Sequence, residues 1–291
     1  MRRTYYIFVL FGVVLSSCLR LDNNLYNSSK ITEYLFDDYK GDVDFVLSND
    51  YTIPLINRHL FTLNSSGNKI YAVYIGDINN IHTDTVIMYC HGNKDHMDFY
   101  WQRAKLLAHV GGKMNYGVMM IDYRGYGLSE GQSTEDGLYE DVDAALTWLK
   151  SQGLTSERLV IYGFSMGSAP ATELSAYSRS LKPAKLLLEA PFASSSVMVQ
   201  DAAVLNMSAS FFTNLKINNA DKIKQVNQPF MWLHGVNDSF LNIDTHGEVI
   251  CHHYAGVYIQ KHRIAGAEHG SVPNTWGFQA YLNAIRDFIR K

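Results

Sequence analysis

The stretch "RLVIYGFSMGSAPATELSAYS", residues 158–178, admits few backbones. An apolar run ends in a G-x-S-x-G pattern, and a helix-forming run begins at once. A strand must therefore turn directly into a helix with Ser165 at the corner. Such a corner holds the serine in a strained conformation that lifts its hydroxyl above the sheet. Side chains at 163 and 167 would collide with the neighbouring strand and helix, so both positions require glycine. Pro170 fits the first helical turn, where its missing N–H costs nothing. The pattern alone is weak, since a chain this long shows it by chance about one time in ten at average composition. Its context and partners must carry the rest.

The context is a regular alternation. "RHLFTL" and "KIYAVYIG" flank "NSSGN" and predict a hairpin. "DTVIMYCHG", "YGVMMIDYRG", "RLVIYGFS", "AKLLLEAPF", "PFMWLHG" and "GVYIQKHRIAG" then predict strands, with helical spacing between most of them. Ser133 and Asp136 give the helix of "STEDGLYEDVDAALTWLKSQG" an S-x-x-D start, and Gly153 ends it. "WGFQAYLNAIRDFIRK" closes the chain as a helix. Short, continuous apolar strands are expected where both sheet faces are covered. Alternation with helices predicts a mostly parallel central sheet with helices on both faces, an α/β fold. At 291 residues, 47% of them hydrophobic and 18% charged, the chain can bury one large core. Residues 58–291 are predicted to form it. The span 193–228 breaks the rhythm between two strands, and a connection that long predicts a small cap over a site. A net charge of −3 and the absence of any Lys/Arg-rich run after the first three residues give no footprint for nucleic acid.

Residues 1–17 stand apart. "MRRTYYIFVLFGVVLSSC" places Arg2 and Arg3 before an apolar run from Tyr5 to Leu15, followed by Ser16, Ser17 and Cys18. The run is shorter than the roughly 20 residues a membrane span needs. A basic start, an apolar middle and small residues make a secretory signal. "LSSC" resembles a bacterial lipobox, whose cysteine is diacylated and becomes the new N-terminus. The expectation is a lipoprotein signal over 1–17, lipidation at Cys18, a tether and lead-in over 18–57, and a membrane-anchored protein of the bacterial cell envelope. An ordinary cleaved signal and an uncleaved anchor are the alternatives. Cys90 ends a predicted central strand and Cys251 lies on a predicted surface helix, so both are expected free even though export permits a disulfide. Adjacent residues of a helix point different ways, so "CHH", Cys251–His253, predicts no metal site.

A serine hydroxyl needs a base to become a nucleophile at neutral pH. The base must stand beyond the carboxyl ends of the strands. His262 falls inside the last strand, and His246, His252 and His253 fall on the preceding helix. His234 ends a strand but precedes most candidate acids. His269, in "GAEHGSVP", lies in the loop after the last strand. Asp238, in "WLHGVNDSFL", lies just past a strand end and is the candidate acid; Glu189, ending "LLLE", is the reserve. Two N–H donors must receive the developing oxyanion. Met166 follows the nucleophile, and Asn93, in "HGN" after a strand, supplies the second; Gly92 lets the backbone turn close to substrate. His91 is read as a structural hydrogen-bonding residue. Lys94 and His96, in the same loop, are candidate substrate contacts. Phe211, Phe212 and Leu215 in the cap are candidates for an apolar acyl lining, with Phe212 foremost.

At this point the chain resembles the α/β-hydrolase superfamily, above all its small-cap ABHD-type and serine-aminopeptidase-like serine hydrolases. "HGN", "DYRGYGLSEG", "GFSMGS", "EAPF", "HGVND" and "EHGSVP" occur in family order over about residues 58–291. The resemblance implies the α/β-hydrolase fold with a Ser165–Asp238–His269 triad, no cofactor and no metal. It makes "DYRGYGLSEG" a structural loop and gives Arg124 no chemistry. Two departures stand out: "HGN" continues as "KDHMD" instead of small residues, and "NDSFLN" lacks the V-P pair that usually follows the acid. The expected activity is hydrolysis of a carboxylic ester or thioester through an acyl-enzyme, on a small-molecule or lipid-like acyl substrate, by a monomer. The alternatives are a serine peptidase or amidase and a non-catalytic hydrolase-like binding protein.

Overall fold

A computed structural model of the chain describes residues 26–112, 116–203 and 215–291. The signal run, Cys18, Phe211 and Phe212 lie outside the described residues.

Among the described residues, eight strands form one sheet in the order β1-β2-β4-β3-β5-β6-β7-β8. The hairpin is β1 (Arg58–Ser65) and β2 (Asn68–Ile75), paired from Arg58↔Ile75 to Ser65↔Asn68. β2 runs against both its neighbours, β1 and β4, and every other pair from β4 to β8 is parallel. The central strands β3 (Thr85–Cys90), β4 (Tyr116–Ile121), β5 (Leu159–Phe164), β6 (Lys185–Glu189) and β7 (Phe230–Gly235) are buried almost throughout. Their unbroken apolar runs have that cause: each faces helices on both sides. β8 (Ile259–Ile264) is an edge strand, half-buried for the most part, with Lys261 and Arg263 exposed. Charges on an unpaired edge discourage pairing with other chains.

The helices are α1 (Met97–Ala108), α2 (Glu135–Ser151), α3 (Ser168–Ala176), α4 (Ser195–Ala203), α5 (Asn219–Lys222), α6 (Gly247–His253), α7 (Val272–Trp276) and α8 (Phe278–Arg290). α8 buries Tyr281, Leu282, Ile285 and Phe288, a single stripe at helical spacing. Thr134, and not Ser133, caps α2: its Oγ1 accepts from Gly137 N at 3.0 Å. Ser133 Oγ instead donates to the Arg124 carbonyl at 2.8 Å, closing the preceding turn. Of the interrupted connection, α4 and α5 are described, and Asn219 docks its end on the domain, donating to Ser168 Oγ (3.2 Å) and the Phe192 carbonyl (2.9 Å).

The largest difference from the sequence reading concerns residues 26–57. Read as tether and lead-in, they form an arm packed across α1. Phe36, Phe45, Leu47 and Ile53 are buried in the core on that side of the sheet. Asp98 accepts from the backbone N–H groups of Leu35 and Phe36, both at 2.8 Å, and Asp37 accepts from Trp101 Nε1 and Lys105 Nζ. This cover explains why Asp98, Arg103 and Lys105 are buried on a helix whose polar side would otherwise face water. At about 1.5–3 kcal/mol per buried large apolar side chain, the four anchors amount to a large part of a domain's net stability. Cys251 also differs: α6 turns it inward, so it is buried instead of lying on the surface. Both it and Cys90 are free, and burial pushes both thiols up.

Candidate active site

Ser165 stands where β5 meets α3, with φ of 51°. A left-handed backbone is costly for a residue with a Cβ, and such strain concentrates at functional corners. The flanking glycines have steric causes. A Cβ at Gly167 would lie 1.9 Å from the Cys90 carbonyl oxygen, and one at Gly163 would lie 2.6 Å from that of Gly167. Any other residue would push the corner off the sheet.

His269 reaches this corner from the loop after β8. Its Nε2 is 2.8 Å from Ser165 Oγ, and its Nδ1 is 2.8 Å from Asp238 Oδ2. With the carboxylate accepting, Nδ1 carries the hydrogen and Nε2 is left to accept from the serine. Asp238 is held from all sides: Oδ1 accepts from the backbone N–H groups of Phe240 (3.0 Å) and Leu241 (2.7 Å). His234 Nε2 lies 3.2 Å from Oδ2 and 2.9 Å from the Leu241 carbonyl, while Trp232 Nε1 donates to His234 Nδ1 at 3.3 Å. These partners place the His234 hydrogen on Nε2, facing the acid. Burial alone would raise the Asp238 pKa; the hydrogen bonds from His234 and His269, the His269 charge and the Leu241 N–H outweigh it and hold the carboxyl below the usual carboxylate range.

The acid and base loops are stitched to each other. Asn237 N donates to the Ala267 carbonyl (3.0 Å), Gly266 N to Asn237 Oδ1 (3.1 Å) and Ser239 N to Glu268 Oε2 (3.2 Å). The residues that replace the usual V-P pair thus have work of their own: Ser239 ties the loops, and the Phe240 ring stands edge-on to His269 at 5.0 Å. Glu189 takes no part in this relay. It accepts from Arg103, Tyr162 and Tyr281 and is fully buried.

Asn93 lines the same pocket as Ser165, and Met166 follows the serine directly. Met166 lies in the first turn after the corner, where N–H groups have no intrahelical acceptor. Tyr126 fixes the Asn93 loop, donating to Asn93 Oδ1 (2.7 Å), which also accepts from Asn27 N (3.0 Å). In "DYRGYG", which the family resemblance makes a structural loop, Arg124 is tied to Asp141 and Glu140. His91 is fully buried, with Nδ1 2.8 Å from the Gly92 carbonyl and Nε2 3.4 Å from Asp122.

A pocket of about 170 Å³ opens over Ser165 and His269. Phe99, Tyr100, Phe164 and Phe240 give it aromatic walls, and Asn27 and Asp44 of the arm complete it. Lys94 also lines it, with Nζ 3.4 Å from Asp42 and 4.5 Å from the centre of the Phe99 ring. His96 does not line it, contrary to its sequence reading. It precedes α1, buried against Tyr39, with Nδ1 3.8 Å from Asp98. Sequence reasoning missed Asn27, Asp44 and His234. The first two sit in a segment with no motif, and the third reads from the sequence only as a candidate base. Among the described residues, no group of three or more His, Cys, Asp or Glu is arranged to hold a metal ion, and no helix is long and apolar enough to cross a membrane.

A family model described as "Serine aminopeptidase, S33" matches residues 81–229, half of the chain, from before the Asn93 loop through Ser165 to the start of β7. The chain belongs to this serine aminopeptidase family of α/β-hydrolases. Alpha/beta hydrolase domain-containing protein 17B of Homo sapiens is 26% identical over 229 residues, covering 78% of this chain and 73% of that protein. A protein named as an alpha/beta hydrolase in Acanthamoeba polyphaga mimivirus is 30% identical over 194 residues, covering 66% and 69%. Among solved structures, an esterase of Pyrococcus furiosus superposes with a TM-score of 0.68 at 15% identity, covering 91% of this chain and 97% of that one. Est1E of Butyrivibrio proteoclasticus, solved with ferulic acid, gives 0.63 at 16% identity, covering 79% and 98%. These structures share the α/β-hydrolase fold with this member of the serine aminopeptidase family.

Proposed function

We propose that this chain is a serine hydrolase that cleaves a carboxylic ester or thioester through an acyl-enzyme. One observation carries the reading: His269 stands 2.8 Å from both Ser165 Oγ and the Asp238 carboxylate. Ser165 Oγ attacks the carbonyl carbon as its proton passes to His269 Nε2. Asp238 keeps the ring in the required tautomer and faces the imidazolium that forms. The N–H groups of Asn93 and Met166 stabilise the oxyanion. His269 then gives its proton to the leaving group, and the C–O or C–S bond breaks. Water, deprotonated by His269, attacks the acyl-enzyme and releases the acid and Ser165. The aromatic walls of the pocket favour an apolar acyl or leaving group, with Lys94 at its rim. A second reading, amide or peptide hydrolysis, is favoured by the family and by Asp44, whose carboxylate could pair with a substrate ammonium.

A fluorophosphonate probe should label the wild type at Ser165 and leave Ser165→Ala unlabelled. Labelling at another residue, or none in folded wild type, would refute the hydrolase. A panel of p-nitrophenyl esters and aminoacyl nitroanilides then separates the two readings. We infer further that Cys18 is lipidated and holds the protein to a membrane. Wild type should incorporate labelled palmitate and Cys18→Ala should not; equal incorporation overturns the inference.

A further inference from the structure

Beside the pocket lies a buried cation that the proposed chemistry does not use. Arg103, on α1, is 2% exposed. Its Nη1 donates to Glu189 Oε1, and its Nη2 donates to the Gly270 carbonyl at 2.9 Å and to Asp44 Oδ2 at 3.2 Å. Its guanidinium carbon stands 4.1 Å from the centre of the Phe164 ring, whose centre is 5.3 Å from that of His269. One planar group therefore touches the residue before Ser165, the residue after His269, the end of β6 and the N-terminal arm.

Removing a guanidinium from water costs several kcal/mol, so its partners must be well placed for it to persist. Here they are fixed in turn. Glu189 Oε2 accepts from the hydroxyls of Tyr162 and Tyr281, which leaves Oε1 to hold Nη1. A rigid fork pinned at one nitrogen has little freedom at the other. Nη2 therefore sets where the Gly270 carbonyl can lie. Gly270 adjoins His269, whose ring has to meet Ser165 on one side and Asp238 on the other, a geometry that tolerates about 0.5 Å of error.

We propose that Arg103 is a positioning residue: through Gly270 and Phe164 it sets the place of His269 against Ser165, and through Asp44 it makes the N-terminal arm part of that support. The proposal rests on His269 being the base. Arg103→Lys keeps the charge but offers a compact ammonium that cannot serve Glu189, Gly270 and Asp44 in one plane. On a soluble p-nitrophenyl ester its kcat should fall about 100-fold, and labelling of Ser165 by a fluorophosphonate should slow alike, while KM stays within about threefold. Asp44→Asn, which keeps the shape of the side chain, should lower kcat about tenfold. A folded Arg103→Lys with wild-type kcat and labelling rate overturns the proposal. If Arg103→Lys does not fold, an unchanged kcat in Asp44→Asn overturns it. The imidazole NMR signals of His269 keep this test separate from that of the hydrolase reading. Even in a protein inactive on every ester, the Nδ1–H resonance of the bond to Asp238 should shift or vanish in either variant, and its persistence at the wild-type position counts against the proposal.

Discussion

Glu189 ends β6, and Asp238 follows the end of the adjacent strand, β7, by three residues. Both are carboxylates, both are buried, and both stand at the edge where a base would look for an acid. They differ in what their oxygens already hold. Glu189 is met by a guanidinium and two phenol hydroxyls, which leave it nothing to offer a histidine. Asp238 spends Oδ1 on two backbone N–H groups and keeps Oδ2 for His269 and His234. Position along the fold makes an acid eligible; unspent acceptor capacity on the correct side makes it a partner for the base.

The comparison presupposes the relay it serves, and its removal is the largest expected effect. Ser165→Ala and His269→Ala should each lower kcat on a soluble ester by about 10⁶-fold, with the double variant little worse, because the residues act as a unit. Additive losses, measured by steady-state kinetics with active-site titration, would show that they do not.

The two acids should then separate in kind. Asp238→Asn leaves the ring in the wrong tautomer and should cost about 10⁴-fold in kcat with the fold intact. Glu189→Gln removes one partner of a buried cation, which costs about 3–5 kcal/mol of stability, while kcat falls far less than in Asp238→Asn. Urea melts beside kcat values measure both. The reverse pattern, a stable but dead Glu189→Gln with an active Asp238→Asn, would transfer the acid's role to Glu189.

Much of this contrast was legible in the sequence. The hairpin, the strands from β3 to β8 and the helices between them announced themselves by apolar runs of the right length and period. Ser165, Asp238 and His269 followed from which residues such a sheet delivers to its carboxyl edge. The arm was not legible. Residues 26–57 are polar with scattered aromatics, and their pattern has neither period, so nothing shows that Phe36 and Phe45 are buried or that Asp44 reaches a pocket. Their role rests on pairings with Trp101, Arg103 and Lys105, some sixty residues away in the chain, and such pairings leave no local trace. His96 shows the same limit in reverse: a loop position suggested the rim, and contacts with Tyr39 and Asp98 draw it inside.

Protonation sharpens the comparison further. The Asp238 carboxyl lies below the ordinary range in the folded chain, while in the unfolded chain it titrates near about 3.9. As the pH falls, the unfolded state binds its proton first. The stabilising contribution of the charge is therefore complete above about pH 5, is lost as the pH falls from the unfolded value through the folded one, and is absent below both. The stability gap between wild type and Asp238→Asn should narrow as the pH falls below about 4. Denaturant melts at each pH read this directly. A gap that holds constant to pH 3 would mean that the hydrogen bonds around Asp238 do not favour its charged form.

The smallest effect should come from His234, which gives Asp238 the kind of support that Arg103 gives Glu189. It is fully buried, it receives the Trp232 N–H at Nδ1, and it aims Nε2–H between the Leu241 carbonyl and Asp238 Oδ2. It touches no reacting atom and can act only through the acid. His234→Gln retains an N–H donor on a longer, less rigid side chain, so Asp238 should keep its charge and two backbone bonds while its Oδ2 gains freedom. The expected loss in kcat is about tenfold, with KM unchanged, since a misplaced supporting group weakens catalysis without removing a participant. Phe should do worse than Gln at this position, because it leaves the Trp232 N–H, the Leu241 carbonyl and Asp238 each short of a partner. If Gln and Phe behave alike, His234 merely fills space, and the backbone N–H groups of Phe240 and Leu241 suffice to hold the acid. If Gln is as damaging as Asp238→Asn, the histidine–carboxylate pair works as one unit, and the acid side of the relay has two members.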